Sequence, residues 1–167
     1  MATTSQRMIT ATAAGEGQAY LIGPEMVTIK VPGAETEGTQ LVVEVDTPPG
    51  GGPPLHTHAA QEIFFVLEGE FEFPTMRDGQ TVMTRAGAGS VVHVPGGVPH
   101  TYHNAGSGRG RFLAVLSPAA EMEGFFREAG IPVEDPAHPP APILPDMERF
   151  LTLSHKYHMN NILPGEQ

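Results

Sequence analysis

Short apolar segments separated by Gly, Pro and Asp recur along most of the chain. They are rich in Val, Ile, Phe and Leu and alternate with polar residues, which is typical of strands. The segments span residues 26–31, 40–45, 62–67, 71–73, 81–84, 90–94, 101–103 and 111–116. Roughly eight to ten short strands at this spacing predict an antiparallel sandwich or barrel. We therefore expect an all-β domain over residues 18–118, preceded by a flexible segment over residues 1–17.

The tail follows a different pattern. Residues 119–129 place apolar side chains at helical spacing and end at Gly130, and Asp146 begins a second segment of this kind. The apolar positions are Met122, Phe125 and Phe126 in the first segment and Met147, Phe150, Leu151 and Tyr157 in the second. Between the two, residues 132–145 hold six prolines and predict an extended linker. We expect a C-terminal extension over residues 119–167 whose α-helices pack on the outside of the barrel or on a partner subunit.

Composition narrows the class of protein. The 167 residues include no cysteine, which excludes a disulfide framework and a thiolate metal site. The formal net charge of -10 disfavours nucleic acid and anionic membrane surfaces as partners. No apolar run approaches the ~20 residues of a membrane span, and the first residues lack the apolar core of a signal peptide. A cytoplasmic protein is the simplest expectation, although a cysteine-free secreted protein has the same composition.

Three histidines and one glutamate form a candidate metal site. His56 and His58 are two residues apart, so on a strand both imidazoles point to one face. Residues 59–61 can form the short turn that returns Glu62 to the same pocket. His100 follows the loop 95–99, whose Pro and Gly residues fix where its side chain emerges. The pattern predicts one divalent transition metal held by these four side chains, and Fe, Ni, Mn, Co, Cu and Zn all remain open.

These residues lie in two segments that resemble the two motifs of the cupin superfamily. The first family motif reads G-x5-H-x-H-x3,4-E-x6-G, and Gly50, His56, His58, Glu62 and Gly69 match it. The second reads G-x5-P-x-G-x2-H-x3-N, and Gly89, Pro95, Gly97, His100 and Asn104 match it. The resemblance implies a double-stranded β-helix, the jelly-roll barrel of cupins, followed here by C-terminal α-helices.

A narrower resemblance concerns small single-domain cupins similar to quercetin 2,3-dioxygenases. It depends on residues 15–20, 48–56, 66–70 and 117–119, the last followed by a Phe-rich helix. In that family three histidines and a glutamate hold the metal, which implies His56, His58, Glu62 and His100 as ligands. The glutamate of the family also accepts a proton from a substrate hydroxyl, which implies Glu62 as the catalytic base.

Six further side chains suit an apolar substrate pocket, and they suit an ordinary core at least as well. They are Phe64, Val66, Phe73, Met83 and Phe112, together with Tyr102, whose hydroxyl either donates a hydrogen bond to the substrate or has a structural role. The remaining histidines are expected outside the ligand set. His93 either supports a ligand or lies in the core or at the surface, whereas His103, His138, His155 and His158 are expected to be exposed. Asn104 is expected to shape the backbone rather than to take part in chemistry.

Two classes of enzyme and a binding role remain open. The first is a dioxygenase that acts on a small aromatic or enolisable substrate, with dioxygen as co-substrate. The second is a redox-silent cyclase, isomerase or lyase in which the metal polarises a carbonyl group. The third is a cupin that binds a small ligand without turnover. Exposed sheet edges and apolar helices also lead us to expect a homodimer.

Overall fold

The computed structural model describes residues 8–136, 138–142, 144 and 146–162. The strands in this part of the chain are β1 (Gln18–Ile22), β2 (Glu25–Val31), β3 (Leu41–Thr47), β4 (His56–Thr57), β5 (Gln61–Glu68), β6 (Glu70–Arg77), β7 (Gln80–Gly87), β8 (Val91–Val94), β9 (His103–Asn104), β10 (Gly110–Ser117), β11 (Ile131–Val133) and β12 (Asn160–Asn161). The helices are α1 (Ala120–Ala129) and α2 (Met147–Lys156), and a 3-10 turn spans Gly33–Thr36. The predicted all-β domain with C-terminal helices is confirmed.

The largest wall of the domain is a seven-stranded sheet in the order β11-β1-β2-β3-β10-β5-β8. Its central pairs, β3 with β10 and β10 with β5, join strands that are far apart in the sequence. Along β3, β5 and β10 every second side chain is buried, as the two-residue period of a strand requires. Val43, Phe64 and Phe112 are among the side chains that this alternation turns towards the interior.

A three-stranded sheet in the order β7-β6-β9 forms the second wall. Its strand β6 buries Phe71 and Phe73, although these positions have the opposite parity to Phe64 on β5. Gly69 lies between the two strands with a φ of 84°, in the left-handed region that glycine adopts without strain. The turn at Gly69 changes which positions face inward, as the sequence predicted. The rings of Phe71 and Phe112 then meet across the interior with centroids 5.1 Å apart.

The prediction that Met83 lines a substrate pocket is wrong. Met83 lies on β7 and is 45% exposed. Side chains from Gln80 to Arg85 are all exposed, and in this strand only Ala86 is buried. The reason is the position of β7 at the edge of the three-stranded sheet, where it pairs with β6 alone. The tip of this hairpin extends beyond the core, so both of its faces meet solvent.

The C-terminal helices close one end of the barrel. Asp146 caps α2, as predicted, because its Oδ1 accepts a hydrogen bond from the backbone N–H of Arg149 at 3.0 Å. Phe125 of α1 and Phe150 of α2 pack edge to face with centroids 5.6 Å apart. The core cluster that contains the barrel residues also contains Phe125 and Leu153. The helices therefore complete the core, whereas the sequence led us to expect them on the outside of the barrel or on a partner.

Two short strands in the tail also differ from the expected pattern. The predicted linker 132–145 begins within β11, which pairs with β1 and extends the large sheet. Residues 137, 143 and 145 of that linker lie outside the described residues. The second short strand, β12, pairs with β4, so Asn161 lies opposite His56. Neither of the two described helices has the length and apolar character that crossing a membrane requires.

Candidate metal centre

The backbone ties together the two segments that carry the predicted ligands. The N–H of His56 donates to the carbonyl of His100 at 3.0 Å, and the N–H of His100 donates back to His56 at 2.9 Å. A third hydrogen bond joins the N–H of Gly97 to the carbonyl of His58 at 2.7 Å. These reciprocal bonds satisfy backbone groups that lie deep in the fold and fix the distance between the two segments.

Two glycines allow the ligand loops to pass close to other backbone. A Cβ atom on Gly96 would lie 2.2 Å from the carbonyl oxygen of Ala59, in the turn between His58 and Glu62. A Cβ atom on Gly52 would lie 1.9 Å from the carbonyl oxygen of Tyr102. Any larger residue would displace the backbone at these points.

Four buried side chains meet at this junction. One ring nitrogen from each of His56, His58 and His100 lies within 4.8 Å of the others. Glu62 adds its carboxylate: Oε1 lies 3.2 Å from Nε2 of His58, and Oε2 lies 3.4 Å from Nε2 of His100. All four residues are 4–7% exposed. The structure thus brings together the four residues that the spacing in the sequence singled out.

The hydrogen bonds of the imidazoles orient their free nitrogens towards one another. Nδ1 of His56 lies 2.8 Å from the carbonyl oxygen of Pro54, and Nδ1 of His100 lies 2.7 Å from that of Val98. A carbonyl only accepts, so both Nδ1 atoms carry a proton, and in the neutral ring each Nε2 keeps the lone pair that a metal would bind. Among the described residues, Nε2 of His100 and both ring nitrogens of His58 are buried without a hydrogen-bond partner.

Buried nitrogens without partners are costly, and a divalent metal ion would satisfy them. The donor set of three imidazoles and one carboxylate suits the transition metals Fe, Ni, Mn, Co, Cu and Zn. The residues present therefore fit a metal. Burial, reinforced by the nearby His100 ring, lowers the pKa of His56 to about 4, so this imidazole is neutral at neutral pH. Burial raises the pKa of Glu62, but its contacts with His100 and His58 outweigh that effect and hold the pKa at about 2.

An apolar cavity of about 140 Å³ reaches two of the four side chains. His56 and Glu62 form part of its wall, and the barrel interior and the C-terminal helices supply most of the rest. Of the predicted pocket residues, Phe64, Tyr102 and Phe112 line this cavity. Val66 and Phe73 are buried in the core beside it without reaching its wall. The helices contribute Met122, Phe125, Phe126, Met147 and Phe150, and Met159 and Asn161 follow them.

One polar residue of the cavity, Glu25, was not predicted from the sequence. It is 8% exposed, and its Oε1 accepts hydrogen bonds from Oγ1 of Thr47 at 2.8 Å and from the hydroxyl of Tyr102 at 3.1 Å. Burial raises the pKa of Glu25 to about 7 against the lowering effect of these two donors. The strand period could have indicated that Glu25 faces inward. It precedes Val27 and Ile29 by two and four positions, and both of these side chains are buried.

The other polar residues singled out in the sequence lie outside the metal cluster. His93 is exposed, and its Nε2 lies 3.4 Å from Oε1 of Gln61. His103 is half-buried, which corrects the expected exposure, because it pairs with Glu72 at the inner edge of β6. The tail residues His138, His155 and His158 are exposed, as expected. Asn104 shapes the backbone: its Nδ2 donates to the carbonyls of Thr47 and Gly108, and its Oδ1 accepts from the N–H of Gly106.

Comparison with known proteins gives this arrangement a family context. Residues 43–116 match the family model described as a cupin domain. Quercetin 2,3-dioxygenase of Bacillus subtilis (strain 168) is 32% identical over 138 residues, which cover 82% of this chain and 39% of the relative. Germin-like protein subfamily 2 member 2 of Arabidopsis thaliana is 34% identical over 98 residues, which cover 58% of this chain and 40% of the relative. The chain spans about two fifths of the length of these curated relatives.

Solved structures share the fold at lower sequence identity. An RmlC-like cupin from Shewanella frigidimarina has a TM-score of 0.56 at 22% identity, and the match covers 71% of this chain and 98% of that chain. A predicted oxalate decarboxylase from Thermotoga maritima has a TM-score of 0.54 at 23% identity, covering 66% of this chain and 99% of that chain. At these identities the likeness concerns the double-stranded β-helix and not the reaction.

Proposed function

Because this chain carries a cupin domain and resembles quercetin 2,3-dioxygenase, we propose that it is a metal-dependent dioxygenase for a small aromatic or enolisable substrate. One observation carries the proposal above all others. Three buried imidazoles and a carboxylate converge beside an apolar cavity, and ring nitrogens of His58 and His100 make no hydrogen bond within the described residues although the Glu62 carboxylate lies next to them. Such a donor set leaves coordination positions open for a substrate oxygen and for dioxygen.

We assign His56, His58 and His100 as metal ligands, together with Glu62. A bound divalent transition metal would supply positive charge that acidifies a substrate hydroxyl, and a redox-active ion would also supply a route for electrons to dioxygen. Glu62 has a second task in this proposal, because its carboxylate accepts the proton that the substrate hydroxyl loses. The carboxylate is held in place from two sides by His58 and His100.

The cavity sets the class of substrate. Its wall is mostly aromatic and aliphatic, which favours a ring or a short apolar skeleton over a charged metabolite. Its volume of about 140 Å³ is close to the ~150 Å³ cavity that holds benzene in an engineered protein. We therefore propose substrates of about one ring, such as a substituted catechol or a cyclic enediol, in preference to a three-ring flavonol. Phe64 and Phe112 would pack against that ring and exclude water.

The test combines metal analysis with oxygen uptake. Purified protein is loaded with each candidate metal in turn and mixed with catechols and enediols in an oxygen electrode. We expect about one metal per chain and oxygen uptake that matches product formation. His58→Ala and Glu62→Gln should each lose metal or turnover, whereas His155→Ala, at an exposed position, should behave as wild type. Wild-type turnover in Glu62→Gln would contradict the assigned role.

A redox-silent cyclase, isomerase or lyase is a second candidate, and one observation favours it. The cavity wall contains two buried carboxyl groups, Glu62 beside the imidazoles and Glu25 bonded to Thr47 and Tyr102. Reactions that shift a proton need both an acid and a base. Product formation at full rate under strict anaerobiosis would identify this candidate and reject the dioxygenase. Tight binding of a probe without any product would instead favour a binding role.

The homodimer and the cytoplasmic location stay predictions. Ile63 and Phe65 on β5 and Val91 on the edge strand β8 are 41%, 43% and 61% exposed, and β5 and β8 are neighbours in the sheet. An apolar patch on a sheet edge is a surface that a second copy of the chain would cover. Light scattering on the purified protein tests the predicted homodimer directly.

A further inference from the structure

We infer that Glu25 is a substrate-recognising group in the cavity wall, where its Oε2 donates a hydrogen bond to an acceptor oxygen of the bound molecule. The inference deepens the proposed function, because it assigns a second point of attachment for the substrate of that site. The expected ligand has one oxygen that faces the metal ligands and a carbonyl or ether oxygen that faces Glu25. An apolar skeleton of about one ring separates the two ends.

The geometry around Glu25 assigns different roles to its two carboxyl oxygens. Oγ1 of Thr47 and the hydroxyl of Tyr102 both donate to Oε1, at 2.8 and 3.1 Å. Thr47 is fully buried, so this donor has no access to solvent. Oε2 has no hydrogen-bond partner within the described residues, and Glu25 belongs to the cavity wall. The oxygen that two donors occupy is the acceptor, and the other oxygen is the one left to carry the proton.

The surroundings of Glu25 favour the protonated form. Burial is the main cause that raises its pKa to about 7. The positive charge of Arg109 lowers the pKa of Glu25, but it is the weakest of the causes. The Arg109 side chain is half exposed and forms an ion pair with Asp46. A neutral carboxyl group therefore coexists with the carboxylate near neutral pH and offers an O–H into an apolar space.

A purely structural role does not explain this arrangement. A glutamate that served only to anchor Thr47 and Tyr102 would need one oxygen, and its second would be best sealed in the core or bonded to protein. Here Glu25 belongs to the wall of the same cavity as His56 and Glu62. A carboxyl O–H on a mostly apolar wall discriminates between ligands that carry an acceptor oxygen at that point and ligands that lack it.

The test compares two probes of nearly equal size, acetophenone and ethylbenzene. They differ in the carbonyl oxygen, and neither carries a hydroxyl for the metal site. Calorimetry on zinc-loaded wild-type protein should show a preference for acetophenone of about tenfold, which corresponds to one neutral hydrogen bond. Glu25→Gln keeps an acceptor for Thr47 and Tyr102 and presents an N–H donor, so it should keep the preference. Glu25→Met should reduce the preference to about one.

Further arms keep the inference testable if Glu25→Met does not fold. The triple variant Glu25→Met, Thr47→Val, Tyr102→Phe removes the donors that would lose their acceptor, and it should show the same loss of preference. A crystal structure of wild-type protein with acetophenone should place the carbonyl oxygen about 3 Å from Oε2 of Glu25. An unchanged preference in the methionine variants, no binding of acetophenone to wild type, or a carbonyl turned away from Glu25 would each overturn the inference. Metal content, measured separately, reports on the proposed function alone.

Discussion

Replacing the carboxyl group of Glu25 by an amide should stabilise the protein in a manner that depends on pH. In the folded chain this group titrates at about 7, against an ordinary value of 4.5. Between these two values the folded state holds more protons than the unfolded state, so stability falls as pH rises through this window. The interval corresponds to a loss of about 3 kcal/mol in the free energy of unfolding. The loss is complete above the folded pKa and does not occur below the unfolded pKa.

Glu25→Gln keeps the oxygen that Thr47 and Tyr102 bond and removes the titration. We expect the variant and the wild type to have similar free energies of unfolding near pH 5. At pH 8.5 the variant should be more stable by about 3 kcal/mol, because the wild type then holds a buried charge.

Urea denaturation of metal-free protein at several pH values measures this difference. The two proteins differ only at Glu25, so the contributions of all other ionisable groups cancel when the two curves are subtracted. Glu134→Gln provides the matched control, because Glu134 is exposed and the same substitution there should have little effect at any pH. A difference between wild type and Glu25→Gln that stays constant from pH 5 to pH 8.5 would refute the reasoning about Glu25.

Further predictions concern the ligand loops, the core and the surface. Gly96→Ala places a Cβ against the carbonyl of Ala59 and should lower metal affinity by about 10–100-fold, as measured by competition with a chelator. Gly108→Ala, where a Cβ meets no atom within 4 Å, is its control and should bind metal normally. Phe112→Ala should cost about 3–5 kcal/mol in urea unfolding, because the ring is 1% exposed and supports the cavity wall. Val91→Glu should convert a dimer to a folded monomer in light scattering, and an unchanged mass would reject the proposed interface.

The sequence was sufficient for the features that depend on local pattern. The pair His56 and His58 shares a face because extended side chains alternate, and the bend at residues 59–60 before β5 returns Glu62 to them. The cap at Asp146 and the end of α1 before Gly130 were readable because capping depends on a few neighbouring residues. These features need no knowledge of distant contacts.

The features that the sequence did not predict depend on long-range packing. Glu25 is separated from its partners Thr47 and Tyr102 by 22 and 77 residues, so no local motif marks it. Met83 has an apolar side chain of the kind found in cores, but its hairpin projects beyond the core. The strand β12 is short and polar, and only its pairing with β4 places Asn161 opposite His56. The closure of the cavity by the helices is likewise a tertiary contact that amphipathic spacing alone does not specify.

The central claim is that three imidazoles and one carboxylate from two distant segments hold a single metal ion. X-ray absorption spectroscopy on the zinc-loaded protein tests it most directly, because imidazole rings give a characteristic outer-sphere scattering pattern. We expect about three imidazole nitrogens and one oxygen near 2.0–2.2 Å, with one imidazole fewer in His100→Ala. A first sphere with fewer than three imidazoles in the wild type, or a spectrum unchanged by His100→Ala, would contradict it.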